Sequence, residues 1–426
     1  MRVMLLGAGG FIGRYVLSEL LAAKHEVVGV VRSPGNLPAA FPQVHFLPLD
    51  LVTATDQEAW RPYVAGIDCI INAAGILKGA GMEAVHARMP EALYRAALQA
   101  GVKHAVLISA VSARKDVATD YSVTKLAGEE ILRSSGLGWT ILRPSLVYGD
   151  GSYGGTSLLR GMAGLPFFIP LPGKGEFAFT PIHAQDLARS VGLICGNNEF
   201  HGQTLEPVGP ETLGLKDLLA RYRAWLGFGR ARFLSVPMPF MRLLGRVGDI
   251  ASDGPVSTNS LMQMVAGNAG NSIAYARSIG FAPRSLNDAL LARPAQVQDR
   301  WQAKLFFIAP AVKAMLVFLW LASAWLGLFH GSEATRSVVA DLGLPQMWAD
   351  PLRISGSLLD LAVALLVLFD RNARWSSLAQ FFVVIGYTVV IGTALPSVWL
   401  DPLGPLLKNF PILLLVAVHG VIGDKR

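Results

Sequence analysis

Four long apolar stretches near the end of the chain constrain its fold more than any other feature. They follow Arg300, are separated by short charged segments, and cover residues 305–329, 354–369, 375–400 and 403–423. A helix needs about 20 apolar residues to cross a bilayer. Only 16% of all residues are charged, whereas a soluble domain has about 25%. We therefore expect an all-α transmembrane domain of four helices over residues 304–426.

The charges around these stretches predict an orientation. Four spans place both ends on one side of the membrane. The loop 370–374 and the tail 424–426 carry basic residues, which favour the cytoplasm. The opening run, residues 1–6, is too short for a signal peptide and leads directly into glycines. These features predict a multi-pass protein of the inner (cytoplasmic) membrane, with its N-terminal domain and its C-terminus in the cytoplasm.

The first third of the chain alternates short apolar runs with longer helical patterns. The predicted strands are residues 3–6, 26–31, 44–47, 68–72, 104–108 and 139–142. The predicted helices are residues 11–24, 83–100 and 120–134. This alternation is typical of an α/β fold in which a doubly wound parallel sheet has helices on both faces.

Beyond this region the alternation weakens and glycine and proline become frequent. This change predicts a small substrate lobe over residues 149–292, which completes a domain of residues 1–292. The pair Arg293-Pro294 marks the start of a predicted linker, residues 293–303.

Charge and cysteine content exclude several classes of partner. The formal net charge is +7, and no block of consecutive lysines and arginines occurs, so we expect no nucleic-acid partner. Mild affinity for an anionic membrane lipid surface is compatible with this charge. The two cysteines, Cys69 and Cys195, each lie in an apolar run, which predicts buried thiols. Their spacing matches neither a disulfide framework nor a metal site.

A glycine-rich turn joins the first predicted strand to the first predicted helix. It reads Gly7-Ala8-Gly9-Gly10-Phe11-Ile12-Gly13. In such a turn Gly7 permits the tight bend, Gly10 lets the backbone approach a pyrophosphate, and Gly13 lets helix and strand pack closely. The free N–H groups at the helix N-terminus then bind the phosphates. The turn predicts a Rossmann-type nucleotide site rather than a purely structural bend, because strand, turn and helix follow in order.

Two residues after the next strands bear on the choice of nucleotide. Arg32 follows the second strand, where an NAD-selective site usually has an acid. An arginine there suits a 2′-phosphate, so NADP(H) is the preferred cofactor and NAD(H) the alternative; a merely solvated arginine is the competing interpretation. Asp50 follows the third strand and is expected near the adenine ring.

A tyrosine and a lysine lie one helical turn apart in Tyr121-Ser122-Val123-Thr124-Lys125, so both side chains share a face. An ammonium beside a phenol is expected to lower the pKa of the phenol, which then exchanges a proton with a carbonyl or alcohol as a hydride is transferred. Ser109, at the end of the fifth strand, is the predicted donor to the substrate oxygen, with Ser112 as a substitute. A chance match is the alternative.

Together these motifs resemble an extended or atypical short-chain dehydrogenase/reductase, and the branch is similar to the NAD(P)H-binding accessory subunit of respiratory complex I. The resemblance covers residues 1–292 and includes the segments 72–75, 142–149 and 180–188. It implies cofactor contacts at Gly7, Gly10, Phe11, Ile12, Gly13, Arg32, Asp50, Leu51, Ala73, Ala74, Gly75, Lys125 and Pro144. The last 123 residues, 304–426, are similar to DoxX-like membrane domains.

The resemblance leaves three functions open. The first is a membrane-anchored NADP(H)-dependent oxidoreductase that acts on a lipophilic carbonyl, alcohol or quinone. The second is a non-catalytic NAD(P)H-binding subunit or assembly factor of a membrane redox complex, since atypical members often hold the nucleotide without turnover. The third, a nucleotide-sugar epimerase, leaves the apolar stretches unexplained. His183 and Asp186 match a motif that fixes the second lobe, so we expect them to be structural.

Weaker signals lie outside these motifs. Six arginines between residues 221 and 246, interleaved with aromatic residues, indicate either a surface that lies on the bilayer or an ordinary solvated lobe. Lys313 and Asp360 lie within apolar stretches, where ionisable groups are costly. A contact between them is one hypothesis, and snorkelling to the headgroups is the other. His419 is expected to be a packed or interfacial histidine, and no cluster predicts a metal site.

Overall fold

The computed structural model describes residues 1–77, 79–251, 257–402 and 404–423. It divides into two compact units, Met1–Ala303 and Lys304–Arg426. The first unit is called the nucleotide unit below and the second the helical unit.

Strands of the nucleotide unit are numbered β1 to β13 in chain order. They are Arg2–Leu6, Glu26–Val31, His45–Pro48, Cys69–Asn72, His104–Ile108, Gly138–Leu142, Val147–Tyr148, Ile169–Pro172, Ala178–Phe179, Ile182–His183, Gln203–Leu205, Leu213–Gly214 and Phe233–Val236.

Helices α1 to α12 precede the boundary between the units. They are Phe11–Ala22, Leu37–Ala40, Arg61–Val64, Met89–Gln99, Asp120–Arg133, Gly154–Ala163, Ala184–Ile194, Leu215–Trp225, Met238–Ala251, Thr258–Val265, Ser272–Ile279 and Leu286–Ala292. A π-helical turn, Ala84–Arg88, leads directly into α4.

Seven strands form one parallel sheet in the order β11-β6-β5-β4-β1-β2-β3, which confirms the predicted doubly wound architecture. The interior strand β1 is buried over nearly its whole length because helices cover both faces. Leu6 pairs with Val30 on one side and with Asn72 on the other. The carboxyl ends of β1, β2 and β4 therefore meet at one edge, where ligands of such sheets bind. Three short strand pairs form the second lobe.

The predicted helix 83–100 is divided in the structure. Its first part is the π-helical turn, and α4 begins at Met89. Pro90 has no N–H group, so the carbonyl oxygen of His86 lacks the partner that a continuous α-helix would give it. That oxygen instead lies against Gly128 of α5, where an added Cβ would overlap it. Close contact between the turn and α5 thus depends on a glycine.

The segment 293–303, expected as a linker, packs on the nucleotide unit. The Trp225 indole Nε1 donates to the carbonyl of Arg293 at 2.7 Å. Buried Asp299 lies 3.5 Å from the guanidinium of buried Arg160. An added Cβ at Gly164 would crowd Ala303 at 2.9 Å. These contacts make the segment part of the lobe that it follows.

Helices α13 to α17 are Val297–His330, Ser332–Asp341, Ala349–Phe369, Arg374–Ala394 and Asn409–Ile422. Among the residues that the structure describes, three apolar helical segments are long enough to cross a membrane, Val297–His330, Gln346–Phe369 and Arg374–Ala394. The expectation of four full spans is therefore wrong at the last one, because α17 has 14 residues. Pro405 lies near the start of the apolar stretch 403–423, and α17 begins only at Asn409.

The last helix runs antiparallel to α16 and returns toward the start of that helix. Asn409 donates to Thr388 at 2.8 Å, and an added Cβ at Gly423 would overlap the side chain of Ala373. Residue 423 thus ends beside the loop 370–374. The basic tail itself, residues 424–426, lies outside the described residues.

Of the two hypotheses for Lys313 and Asp360, the structure does not support a contact between them. Lys313 donates to the carbonyl of Asp370 at 3.1 Å. The buried carboxylate of Asp360 accepts hydrogen bonds from Ser323 at 2.6 Å and from Tyr387 at 3.1 Å. Asp370, which directly follows α15, lies ten positions after Asp360, or about 15 Å along a helix. The two ionisable groups therefore lie at different depths. His419 is buried, as expected of a packed histidine.

Candidate nucleotide-binding and catalytic site

The glycine turn after β1 has the geometry that its sequence predicts. Gly7 adopts a left-handed backbone with φ +74°, which L side chains rarely tolerate. An added Cβ at Gly13 would overlap the backbone oxygen of Gly7, so α1 packs on the turn only because both residues are glycine. The Gly10 N–H donates to the Gly7 carbonyl at 2.9 Å and closes the turn.

The N-terminus of α1 suits a phosphate group. Gly10 is the N-cap residue, and no side chain caps the helix there. Within 4 Å an added Cβ at Gly10 would meet only the Gly7 oxygen, at 3.2 Å, so the backbone is open to a ligand at this point. Free N–H groups at a helix N-terminus and the helix dipole favour anions. The residues present therefore fit the pyrophosphate of a dinucleotide.

Phe11 and Ile12 begin α1. The Phe11 ring stacks on the ring of Tyr153, with 5.0 Å between centroids and 14° between planes, and lies edge to face with Tyr15 at 5.8 Å. Ile12 is half-buried against the core. Tyr153 belongs to the second lobe, and no sequence motif indicated that it would reach the glycine turn.

The residues expected near the adenosine follow β2 and β3. Arg32 is exposed directly after the buried end of β2. Asp50 is exposed, and its Oδ1 accepts the N–H of Val52 at 3.0 Å, which shapes the turn that carries half-buried Leu51. Their strands are neighbours in the sheet. Both side chains thus stand at the same edge of the sheet as the glycine turn.

The loop after β4 connects the glycine turn to the catalytic helix. Asn72 Oδ1 accepts the N–H of Ala74 at 3.1 Å and holds the loop. An added Cβ at Gly7 would meet the Ala73 oxygen at 3.1 Å, and one at Gly75 would meet Lys125 Nζ at 3.2 Å. The predicted cofactor residues of β1 and β4 therefore lie together, next to the predicted catalytic lysine.

Pro144 follows β6 and is buried. Its carbonyl accepts the N–H of Val111 at 3.0 Å. This bond ties the loop after β6 to the loop after β5, which Ser109 begins. Pro144 therefore helps to fix the loops after β5 and β6, which lie beside the candidate site.

Tyr121 and Lys125 lie on α5, whose start is fixed by the Thr119 hydroxyl, which accepts the N–H of Ser122 at 3.1 Å. Lys125 is buried, and its Nζ donates to the carbonyl of Ile108 at 3.1 Å. The ammonium lies 5.9 Å from the centre of the Tyr121 ring. Burial lowers the pKa of Lys125 to about 8, although the charge of Glu129 acts in the opposite direction.

The net lowering of the Tyr121 pKa expected from Lys125 is not seen in this structure, because burial has the larger effect. Burial of the phenol raises the pKa of Tyr121 to about 12. Desolvation dominates because the lysine head group binds the Ile108 carbonyl, not the phenol oxygen. The Tyr121 phenol is consequently protonated at physiological pH.

His86 is a member of the site that the sequence did not reveal. Its Nε2 accepts the N–H of Ile76 at 3.2 Å, and its Nδ1 lies 2.9 Å from Thr124 Oγ1. The Thr124 hydroxyl donates to the Asp120 carbonyl at 2.8 Å, so it must accept from Nδ1–H, which fixes the neutral tautomer. Burial, reinforced by the charge of Lys125, lowers the pKa of His86 to about 3.

Ser109 faces a buried carboxylate instead of open space. Its hydroxyl donates to Glu129 Oε1 at 2.6 Å, and Glu129 also accepts from Arg143 Nη2 at 2.6 Å and from Arg133 Nη2 at 2.9 Å. Burial alone would raise the pKa of Glu129, but hydrogen bonds from Arg143 and Ser109 outweigh it and lower the pKa. In this arrangement the Ser109 proton is not available to a substrate oxygen.

The arginine and acid network could have been noticed partly from sequence. Glu129 lies one turn beyond Lys125, and Arg143 belongs to the segment 142–149. That Ser109, Arg133 and Arg143 all bind Glu129 depends on strand order, which spacing alone does not give.

The second-lobe motif has the structural role expected of it. His183 Nδ1 accepts the N–H of Gln185 at 3.2 Å and caps α7. Asp186 accepts from the Arg284 backbone N–H at 2.9 Å and from its guanidinium Nη2 at 2.9 Å. These bonds join two distant parts of the lobe.

A parallel sheet with an open glycine turn beside a Tyr–Lys pair defines a nucleotide-binding Rossmann protein. Family comparison agrees: residues 7–162 match the NAD(P)H-binding family, and residues 317–417 match the DoxX-like family. The chain belongs to the NAD(P)H-binding Rossmann proteins of the atypical short-chain dehydrogenase/reductase type, here fused to a DoxX-like domain.

Two curated relatives share the nucleotide unit. The ceramide reductase of Caulobacter vibrioides is 28% identical over 199 residues, which are 45% of this chain; the match covers 60% of that protein's length. The mitochondrial NADH dehydrogenase (ubiquinone) 1 alpha subcomplex subunit 9 of Rattus norvegicus is 24% identical over 275 residues, 61% of this chain and 70% of that protein.

Among solved structures, the NADPH-dependent quinone oxidoreductase of Escherichia coli in complex with NADPH superposes with a TM-score of 0.55. It is 20% identical, and the match covers 68% of this chain and 99% of the other. At this identity the likeness concerns the fold.

Proposed function

We propose that this protein is a membrane-anchored NADP(H)-dependent oxidoreductase that reduces or oxidises a lipophilic carbonyl, alcohol or quinone. The observation that carries the proposal is the position of Tyr121 and buried Lys125 beside Gly75, at the sheet edge where the glycine turn opens. In this proposal residues 1–292 form the catalytic domain, and residues 149–292 contribute the substrate lobe.

The acid–base properties of the pair favour reduction at neutral pH. A bound reduced nicotinamide would supply a hydride to the substrate. Tyr121, whose raised pKa keeps it protonated, donates the proton that the substrate oxygen then takes up. Lys125 keeps positive charge near the phenol below its pKa of about 8, which stabilises the phenolate that proton transfer leaves behind. The His86 ring lies edge to face with the Tyr121 ring, with 5.6 Å between their centroids, and holds it from the side.

NADP(H) is the proposed cofactor because Arg32 stands exposed at the end of β2. A guanidinium binds a 2′-phosphate through charge-assisted hydrogen bonds. NAD(H) has no 2′-phosphate for Arg32 to bind, so we propose NAD(H) only as the alternative cofactor.

The lipophilic substrate is inferred from the chain's architecture. Three apolar helices follow the catalytic domain in the same polypeptide. A membrane anchor is useful to an enzyme whose substrate partitions into lipid. The names of the relatives agree with this class, since one is a ceramide reductase and another a subunit of an NADH dehydrogenase (ubiquinone). We place the protein in the inner membrane, with the nucleotide unit and the C-terminus in the cytoplasm.

A second candidate is a non-catalytic NAD(P)H-holding subunit or assembly factor of a membrane redox complex. One observation favours it: the Ser109 hydroxyl is bound to Glu129, so this serine is not available as the donor to a substrate oxygen. A nucleotide at about 100 times its dissociation constant adds roughly 2.7 kcal/mol to the free energy of unfolding. In that case the bound nucleotide would stabilise the folded protein and would not take part in a reaction.

Two measurements on Tyr121→Phe separate the candidates. The enzyme should lose turnover of a quinone and long-chain carbonyl panel by about 100-fold or more, while NADPH affinity measured by titration stays unchanged. A holding subunit should show no turnover in either protein. Tyr63→Phe, an exposed tyrosine of α3, is the matched control and should behave as wild type in both measurements.

A further inference from the structure

Helix α9 presents its large apolar side chains to the outside of the nucleotide unit. Its outward face carries four residues spaced as one helical stripe, Phe240, Leu243, Leu244 and Val247. Phe240 is 58% exposed and Val247 is 54% exposed. In a domain surrounded by water, such a stripe would face the core instead.

On the side that faces the nucleotide unit, α9 carries small residues instead of large ones. There α9 carries Gly245 and Gly248, both buried, and an added Cβ at Gly245 would come within 3.2 Å of the Thr258 backbone in α10. Glycine inside a helix costs about 1 kcal/mol relative to alanine. Close packing on α10 thus uses the smallest residues and leaves the largest apolar ones outside.

A third face of α9 is charged. Arg242 and Arg246 lie one turn apart and are exposed, and they flank the apolar stripe on its other side. Asp249 shares this face, but its carboxylate accepts the Thr258 N–H at 3.0 Å and caps α10. Apolar residues beside arginines form the pattern of helices that lie in the headgroup region of a bilayer.

Exposed aromatic residues continue the apolar surface around β8 and β13. Phe167 and Phe168 are exposed immediately before β8, and β8 pairs with β13, the strand that leads into α9. Leu234 of β13 is also exposed. Contiguous exposed apolar surface of this kind marks an interaction site.

We propose that α9 and the flanking β8–β13 edge form a membrane-docking surface that binds anionic phospholipid. Two features favour lipid over a second copy of this chain. An interface between two copies related by a two-fold axis would bring Arg242 and Arg246 toward the same arginines of the partner. The three apolar helices of the same chain hold the nucleotide unit at a bilayer surface, where the effective lipid concentration is high.

The test uses the full-length protein in nanodiscs of phosphatidylcholine and phosphatidylglycerol. A single cysteine replaces Leu244 and carries an environment-sensitive fluorophore; the matched control replaces Leu98, an exposed leucine of α4. The native thiols, Cys69 and Cys195, are buried. Lipids with a nitroxide near the headgroup should quench most of the fluorescence at position 244 and leave position 98 unchanged.

Further conditions distinguish whether lipid, water or another protein surrounds α9. Replacing phosphatidylglycerol by phosphatidylcholine, or introducing Arg242→Glu with Arg246→Glu, should reduce the quenching at position 244 substantially. The proposal is overturned if iodide in the buffer quenches position 244 as strongly as position 98, which would show a solvated helix. It is also overturned if neither quencher reaches position 244, which would show a protein interface. Turnover is not measured, so the outcome is independent of the catalytic proposal.

Discussion

The rings of His86 and Tyr121 lie edge to face, with 5.6 Å between their centroids and 87° between their planes. His86 reaches this position because the π-helical turn before Pro90 brings it against α5. The neutral imidazole then bonds the loop after β4 on one side and α5 on the other. One residue thus joins the cofactor loop to the catalytic helix.

The first prediction concerns the charge of His86. Because the folded pKa of about 3 lies below the unfolded value of 6.5, only the unfolded chain gains this proton as the pH falls below 6.5. Stability should therefore fall with pH in this window. Relative to His86→Gln, wild type should lose on the order of 1–2 kcal/mol between pH 7 and pH 5. Denaturant unfolding at each pH measures this difference, and parallel curves for the two proteins would contradict it.

A second prediction compares two helical glycines. Gly128→Ala should lower the free energy of unfolding by about 1–3 kcal/mol, because the new methyl group overlaps the rigid His86 carbonyl. Gly155→Ala meets no atom within 4 Å and should be neutral or stabilise by about 0.5–1 kcal/mol. Thermal unfolding of both variants is the measurement. Equal effects would show that the contact between the π-helical turn and α5 is looser than described.

A third prediction separates folding from nucleotide binding within the glycine turn. Gly13→Ala should prevent stable folding of the nucleotide unit, since its Cβ would overlap the backbone of Gly7. Gly10→Ala should keep the fold and lower dinucleotide affinity by tenfold or more, about 1.4 kcal/mol. Circular dichroism and nucleotide titration test the pair. Unchanged affinity in Gly10→Ala would mean that the phosphates bind elsewhere.

The cofactor preference gives a fourth prediction. Arg32→Ala should weaken NADPH binding by roughly tenfold to a hundredfold, because a hydrogen bond to a charged group contributes about 1.5–3 kcal/mol. NADH binding should change little. Arg61→Ala, which removes an exposed arginine paired with Glu58, is the control and should affect neither nucleotide. A similar loss for both nucleotides in Arg32→Ala would remove the basis for NADP(H) selectivity.

Local patterns predicted the sheet and the glycine turn well, since each depends on residues close in sequence. The predicted strand 26–31 and the observed Glu26–Val31 coincide, and the spacing of Tyr121 and Lys125 fixes their shared face on α5 in any fold. The last apolar stretch, 403–423, misled because hydropathy counts apolar residues but does not register Pro405 near its start, and the helix begins only at Asn409.

Features that depend on tertiary structure could not be predicted from the sequence. His86 and Tyr121 lie 35 positions apart, and their contact requires both the strand order and the π-helical turn. The pKa of Tyr121 follows from burial and from the bond of Lys125 to Ile108. The spacing of the pair predicted their proximity but not which carbonyl the lysine would bind.

The most direct test of the catalytic proposal follows NADPH absorbance in the detergent-purified full-length protein after addition of a lipid extract from membranes that contain it. Wild type should oxidise NADPH at a rate proportional to the amount of extract. Tyr121→Phe should bind NADPH equally well but oxidise it at least about 100-fold more slowly. If NADPH stays bound and reduced in both proteins, or if both oxidise it at the same rate, Tyr121 is not the proton donor of an oxidoreductase.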